Sequence, residues 1–156
     1  MATDRLASLA IFLFLAVLAG YPSIAGEPKS PNAWRFNPAI GLEGQASIVN
    51  QQGDRLDAEC GNGGGPALIL TPAQAKPIVT ERTTLTFSID GTAYNVEFQC
   101  SADGVTCVTF GFPSPDVIKG LQMGNTVEIK AKEAPVTSFS LTSSNKAIAR
   151  LAPCLQ

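Results

Sequence analysis

The residues of this sequence best suited to covalent chemistry are four cysteines, Cys60, Cys100, Cys107 and Cys154. Structural zinc sites usually take their cysteines in pairs separated by two residues, whereas six residues separate Cys100 from Cys107. The same spacing differs from the C-x2-C motif typical of thiol redox sites. The pattern therefore favours two structural disulfides over a metal centre or a redox centre.

Four cysteines allow three pairings, and a local turn selects one of them. An Asp-Gly sequence lies between Cys100 and Cys107 and can reverse the chain there, so these two cysteines can pair and leave Cys60 to pair with Cys154. A loop fixed by the short bridge would bind a partner at a low entropic cost. The alternative is that the bridge only staples two neighbouring strands. The candidate binding residues of this loop are Ser101, Asp103, Gly104 and Val105.

Phe110 and Phe112 lie in a segment whose Gly111 and Pro113 indicate a loop. Such a loop can present both phenylalanines, together with Met123, as an exposed apolar patch for a partner. The alternative is that they pack beneath the short helix that follows, which is the commoner fate of large apolar side chains. We include Phe110 and Phe112 among the candidate binding residues.

Other groups that could do chemistry are sparse. Histidine is absent, which excludes catalytic Ser-His-Asp and Cys-His pairs and His-ligated zinc. Asp57 and Glu59 alternate with apolar residues, so we expect them on the solvent face of one strand, where carboxylates add solubility and protect a sheet edge. One Trp and two Tyr are few for the sugar platform that a two-carboxylate hydrolase would need. We therefore predict no catalytic site, no metal and no cofactor.

The charge balance argues against a nucleic-acid partner. The sequence has 11 Lys+Arg and 13 Asp+Glu, a net charge of −2, and no run of basic residues. The glycine-rich segment Gly61–Gly65 precedes Pro66 and an apolar strand rather than a Lys and a helix, so it predicts a hairpin turn and not a phosphate loop.

The first 25 residues have the features of a cleaved signal peptide. Arg5 precedes a run of 15 mainly apolar residues, Leu6–Gly20, and small residues lead up to Ala25. This run is shorter than the roughly 20 residues needed to cross a bilayer, so we expect cleavage after Ala25 and no stable membrane span afterwards. The predicted location is the periplasm of a Gram-negative bacterium or its exterior, where disulfides form.

The elements that must position these residues are mostly strands, because apolar and polar residues alternate with a period of two. The clearest hairpin turns at Asp90-Gly91. Ser114 begins one short helix, and Ser143 or Ser144 begins a second that Pro153 ends. We predict a flexible segment 26–33 and one mainly β domain, 34–156, built as a single antiparallel β-sandwich or barrel-like domain with one or two short helices, the last at the C-terminus.

A recognisable set of segments spans the predicted domain: Trp34, Leu56–Cys60, Phe87–Gly91, Phe98–Cys100 followed by Cys107, and Phe139–Leu141 leading into Ala147–Leu151. The set resembles the invasion-associated locus B family of small secreted proteobacterial proteins. The pattern of an early Cys60 and a terminal Cys154 also resembles that of a periplasmic accessory protein of type VI secretion. Both resemblances imply a non-enzymatic role associated with the cell envelope, and neither supplies a catalytic residue.

Together these features predict an exported, non-enzymatic binding module whose partner is an unidentified envelope or extracellular protein. The alternative is a small secreted hydrolase inhibitor that acts through the Cys100–Cys107 loop, since a rigid exposed loop is suited to that task.

Overall fold

Nine strands form one antiparallel sheet, as expected from the alternation of apolar and polar residues. The computed structural model describes residues 32–41, 43–74, 81–101, 106–131 and 137–155. The predicted signal peptide, its cleavage site and nearly all of the predicted flexible segment lie outside these residues. The strands are β1 Arg35–Asn37, β2 Gln45–Val49, β3 Arg55–Cys60, β4 Pro66–Thr71, β5 Glu81–Ile89, β6 Thr92–Cys100, β7 Cys107–Thr109, β8 Thr126–Lys130 and β9 Thr137–Ser140.

Strand β7 lies at the centre of the sheet and connects its two halves. The spatial order is β1-β2-β3-β4-β7-β6-β5-β8-β9, so β7 joins the first four strands to the other four. It has three residues, and its register with β4 pairs Val108 with Ile69 and Cys107 with Leu70. A strand this short makes few ladder hydrogen bonds. The connection between the two halves of the sheet therefore depends also on side chains and on the disulfide that joins β7 to β6.

The β5–β6 hairpin turns at Asp90 and Gly91, as predicted. Both residues have positive φ, 47° and 89°, as a two-residue type I′ turn requires. The Asp90 carboxylate accepts hydrogen bonds from the backbone N–H of Asn125 at 2.9 Å and of Thr126 at 3.0 Å. The turn is thereby fixed to the beginning of β8, and these bonds lower the pKa of Asp90 below its ordinary value.

The inward face of the sheet carries one hydrophobic core. The rings of Phe87 and Phe98 stack there with their centroids 5.8 Å apart. Trp34 is 4% exposed, and its indole Nε1 donates to the carbonyl of Ser140 at 3.2 Å, so this core residue attaches the beginning of the domain to β9. The largest fully buried side chains belong to Phe87, Phe98, Leu56, Leu68, Leu85, Leu121, Ile148 and Leu151.

Two short helices accompany the sheet. Helix α1, Pro115–Met123, begins at Ser114, whose hydroxyl accepts the N–H of Val117, as predicted from Ser-Pro-Asp. Helix α2, Ser144–Ile148, is followed directly by a 3₁₀ helix, Ala149–Cys154.

Two details of the second helix differ from expectation. Pro153 lies inside the 3₁₀ helix and does not end the helical segment. Ser143 occupies the N-cap position with a left-handed backbone and makes no side-chain capping bond. The hydroxyl of Ser144 instead donates to the carbonyl of Leu141 at 2.7 Å, so Ser144 fixes the turn that leads into the helix.

Both predicted disulfides are present. Cys60 pairs with Cys154 across a sequence separation of 94, and Cys100 pairs with Cys107 across a separation of 7. The predicted fold class is confirmed: the chain is mainly β, with two short helices and the last one at the C-terminus. The sheet has nine strands among the described residues, and it is not closed into a complete barrel.

Candidate functional site

Two phenylalanines separated by one glycine are exposed directly after β7. Phe110 is 42% exposed and Phe112 is 61% exposed, so they do not pack beneath helix α1. The guanidinium carbon of Arg82, on β5, lies 3.5 Å from the centroid of the Phe110 ring, which is the geometry of a cation–π contact. We call Arg82, Phe110 and Phe112 the aromatic surface. Met123, exposed by 75%, lies apart from it in sequence at the end of α1.

Phe112 is seated on the glycine-rich turn between β3 and β4. A Cβ atom added at Gly65 would lie 2.5 Å from carbons of the Phe112 ring, and one added at Gly63 would lie 2.9 Å from it. The absence of side chains at these two positions therefore lets the ring lie against the backbone of the turn. The sequence predicted this turn, but it did not show that the turn carries an aromatic residue.

The Cys100–Cys107 disulfide links directly opposed residues of β6 and β7. Beyond the bridge, the N–H of Ser101 donates to the carbonyl of Thr106 at 2.8 Å, and the N–H of Thr106 donates to the hydroxyl of Ser101 at 3.2 Å. Ser101 is exposed at this closed base. The other candidate residues of the loop, Asp103, Gly104 and Val105, lie outside the described residues.

The structure does not bring the loop and the aromatic surface to the same end of the sheet. The loop precedes Cys107 at the start of β7, whereas Phe110 and Phe112 follow the end of that strand. The antiparallel register of β7 with β4 places the following residues toward Pro66 and the glycine-rich turn. The two groups of candidate residues are therefore two separate features.

Asp57 is buried on the outer face of the sheet, so the prediction that it is solvent-exposed at a protected edge was wrong. It is 3% exposed, because β3 lies between β2 and β4 and neighbouring side chains cover its carboxylate. Arg55 Nε donates to Asp57 Oδ1 at 2.7 Å, and a second guanidinium nitrogen donates to Gln45 at 2.6 Å. Burial raises the pKa of Asp57 above its ordinary value, and the Arg55 hydrogen bond and charge partly oppose that rise.

Replacing Asp57 by asparagine is expected to remove a pH-dependent loss of stability. Because its pKa is raised in the folded protein, Asp57 favours folding most below its unfolded pKa of about 3.9 and loses this contribution as pH rises through the folded pKa. Asp57→Asn should therefore match the parent protein near pH 3 and be more stable than it at pH 7. Urea denaturation over this pH range measures the difference.

Asp90→Asn is the matched control, and its effect on stability at pH 7 should have the opposite sign. The lowered pKa of Asp90 means that its contribution is present above the unfolded pKa and disappears as pH falls through the folded pKa. This variant should be less stable than the parent at pH 7 and equal to it at low pH. If the two substitutions shifted stability in the same direction at pH 7, the assignment of opposite pKa shifts would be wrong.

A small cleft of about 190 Å³ lies where the two ends of the sheet approach each other. Ligand pockets for cofactors are commonly about 300–1,000 Å³, so this cleft is small for such a group. The described residues that line it have uncharged side chains, which supply no general acid or base near neutral pH. They are Asn32, Ile48, Asn50, Gln51, Gln52, Ser138 and Ser140.

Asn50 connects the two walls of this cleft. Its side-chain nitrogen donates to Thr137 Oγ1 at 3.0 Å and to the carbonyl of Ser138 at 3.1 Å, while its side-chain oxygen accepts from the N–H groups of Gln52 and Asp54. One amide therefore fixes the β2–β3 turn and attaches it to β9. Sequence reasoning missed this role, because an asparagine before a turn gives no signal of a contact with a strand 87 residues away.

No group of three or more His, Cys, Asp or Glu side chains among the described residues is placed to hold a metal ion. Within the same part of the chain, no helix is both long enough and apolar enough to cross a membrane.

The comparisons with known proteins relate this chain to others by fold. No protein-family model matches the sequence, and a search of curated proteins finds no match. Among solved structures, the chain is similar to the crystal structure of invasion associated protein B from Bartonella henselae, with a TM-score of 0.55 and 16% sequence identity over 76% of this chain and 91% of that chain. At this identity the similarity shows a common fold, and the expected resemblance to invasion-associated proteins is supported at that level.

Proposed function

We propose that the protein is an exported, non-enzymatic binding module that recognises a partner protein through the aromatic surface. The observation that carries this proposal is the exposure of Phe110, which Arg82 covers, and of Phe112 two residues further along the chain. Aromatic residues and arginine are enriched in protein–protein interfaces and among the residues that dominate binding energy. Phe110 and Phe112 lie outside the core, which supports a role in contact with another molecule.

The aromatic surface is also held in place before any partner arrives. The Arg82 guanidinium covers the Phe110 ring, and the ring of Phe112 lies against the glycine-rich turn. Side chains that are already fixed lose less conformational entropy on binding, which costs about 0.5–1.5 kcal/mol for each side chain immobilised at an interface. This arrangement favours recognition over a purely structural role. If the two rings only stabilised the fold, burial in the core would be the more favourable place for them.

Export and location are part of the proposal. The two disulfides are consistent with an oxidising compartment, and the solved structure with the similar fold is that of an invasion associated protein. We place this protein in the periplasm of a Gram-negative bacterium or outside the cell. The partner would be a protein of the envelope or of the extracellular surroundings.

The experiment places a photo-crosslinking amino acid at Phe112 and identifies the crosslinked protein by mass spectrometry in cells that produce the chain. Binding of the identified partner is then measured for Phe110→Ala/Phe112→Ala. We expect affinity to fall at least about 30-fold, as for residues that dominate an interface, with an unchanged melting temperature. Met123→Ala removes a more exposed apolar side chain elsewhere and should leave affinity unchanged.

Two results would contradict the proposal. Equal affinities for the double variant and Met123→Ala would show that the aromatic surface is not the contact. Loss of binding only when Asp103 and Gly104 are replaced would favour the alternative function, a hydrolase inhibitor that acts through the Cys100–Cys107 loop.

A further inference from the structure

The glycine-rich turn between β3 and β4 contains the one Asn-Gly sequence of the chain, at Asn62 and Gly63. Asparagine is a thermolabile residue, because the backbone nitrogen that follows it can attack its side-chain amide carbon and close a five-membered ring. Glycine is the residue that permits this approach best, since it has no Cβ to restrict its backbone. The turn therefore places an electrophilic side chain next to a nitrogen that can reach it.

Neither reacting group is held by another part of the protein. The backbone bonds of the turn run from the N–H of Gly64 to the carbonyl of Gly61 at 3.0 Å and from the N–H of Gly61 to the carbonyl of Gly65 at 2.8 Å. Among the described residues, no group accepts the N–H of Gly63 and none bonds the side-chain amide of Asn62. Both residues are exposed, so water and hydroxide reach them. No hydrogen bond to either group has to break before the two meet.

Two other asparagines show the opposite situation. The side-chain nitrogen of Asn50 donates to Thr137 Oγ1 at 3.0 Å, and that of Asn125 donates to the Asp90 carboxylate at 3.2 Å. A residue with a Cβ follows each of them in the chain. Their amides are fixed by hydrogen bonds and the next backbone nitrogen is restricted, so the fold protects them and leaves Asn62 unprotected.

We propose that Asn62 is a site of spontaneous deamidation. A solvent base removes the proton of the Gly63 N–H, the nitrogen bonds to Asn62 Cγ, and the amide nitrogen leaves as ammonia with a proton from water, so that a succinimide remains. Water then adds to one ring carbonyl and breaks the corresponding C–N bond. Opening at the Cγ carbonyl gives aspartate, and opening at the backbone carbonyl gives isoaspartate, whose main chain runs through the former side chain.

The change occurs in the turn on which the Phe112 ring lies. A Cβ atom added at Gly63 would lie 2.9 Å from that ring, so the backbone of Gly63 is close to it. Isoaspartate inserts one additional carbon into the main chain directly before Gly63, and both products add a negative charge to an exposed position of the turn. Deamidation therefore alters the support of Phe112, whatever this side chain binds.

Peptide mapping by mass spectrometry tests the proposal on the purified, oxidised protein. The protein is incubated at neutral and at mildly alkaline pH and is then digested under acidic conditions, which stop the reaction. We expect the peptide that contains Asn62 to gain the mass difference between an amide and a carboxylate, faster at the higher pH because the attacking nitrogen must lose its proton. A synthetic peptide of residues 61–68 gives the rate without the fold, and the protein should react within about tenfold of it.

A variant at the glycine tests the mechanism. Gly63→Ala/Phe112→Ala adds a Cβ after Asn62 and removes the ring that this Cβ would approach, and it should react at least about tenfold more slowly than Phe112→Ala alone. The proposal is overturned if Asn62 stays intact while the synthetic peptide reacts, if these two variants react equally fast, or if Asn50 or Asn125 reacts before Asn62. No partner takes part in these measurements, so their outcome is independent of the proposed binding function.

Discussion

Replacing Cys60 and Cys154 together by alanine is expected to lower the free energy of unfolding by about 4–5 kcal/mol. The bridge joins β3 to the C-terminal 3₁₀ helix across a sequence separation of 94, so it removes many conformations from the unfolded chain. Urea denaturation of the unreduced protein measures this loss. The dependence of the unfolding free energy on urea should also become steeper, because the unfolded chain expands once the bridge is absent.

The matched control is Cys100→Ala/Cys107→Ala. This bridge closes a sequence separation of 7, for which the same entropic relation gives about 2–3 kcal/mol. The long bridge should therefore contribute more stability than the short one. Removing the short bridge could instead lower stability as much as removing the long one, or more. Its main contribution would then be to hold β7 in the centre of the sheet and not to restrict the unfolded chain.

The second large effect is expected from Phe98→Ala, which should destabilise the protein by about 3–5 kcal/mol. The Phe98 side chain is fully buried on β6 and stacks on Phe87, so its removal leaves a cavity and exposes one face of the neighbouring ring. Thermal and urea unfolding measure the loss.

Phe112→Ala deletes the same group of atoms at a position that is 61% exposed. Its effect should stay within about 0.5 kcal/mol, as for surface substitutions away from special features. Comparable losses for Phe98→Ala and Phe112→Ala would mean that Phe112 is part of the core, which would also contradict the role of the aromatic surface in binding.

Local patterns predicted the parts of this fold that depend on neighbouring residues. The alternation around Asp90-Gly91 predicted the hairpin, and Ser114 predicted the beginning of α1. The pairing of the cysteines followed from one turn between Cys100 and Cys107, which left a single partner for Cys60. In each case the structure is determined within about ten residues, where backbone preference and side-chain period are strong.

Contacts between distant strands decided what the sequence could not predict. Asp57 alternates correctly onto the outer face, but only the position of β3 between β2 and β4 shows that this face is covered there. Phe110 and Phe112 are exposed because Arg82 and the glycine-rich turn support them, and both supports come from other parts of the chain. The role of Asn50 likewise exists only once β9 lies beside the β2–β3 turn.

The nested arrangement of the two bridges has a consequence for the order of oxidation. The chain is synthesised from its N-terminus, so Cys60 meets Cys100 and Cys107 before Cys154 has emerged, although its native partner is the last of the four. Strictly sequential oxidation would join Cys60 to the wrong sulfur. Native pairing therefore requires either that Cys60 stays reduced until the tail is complete or that a misplaced bond is reshuffled by thiol–disulfide exchange, which takes seconds to hours.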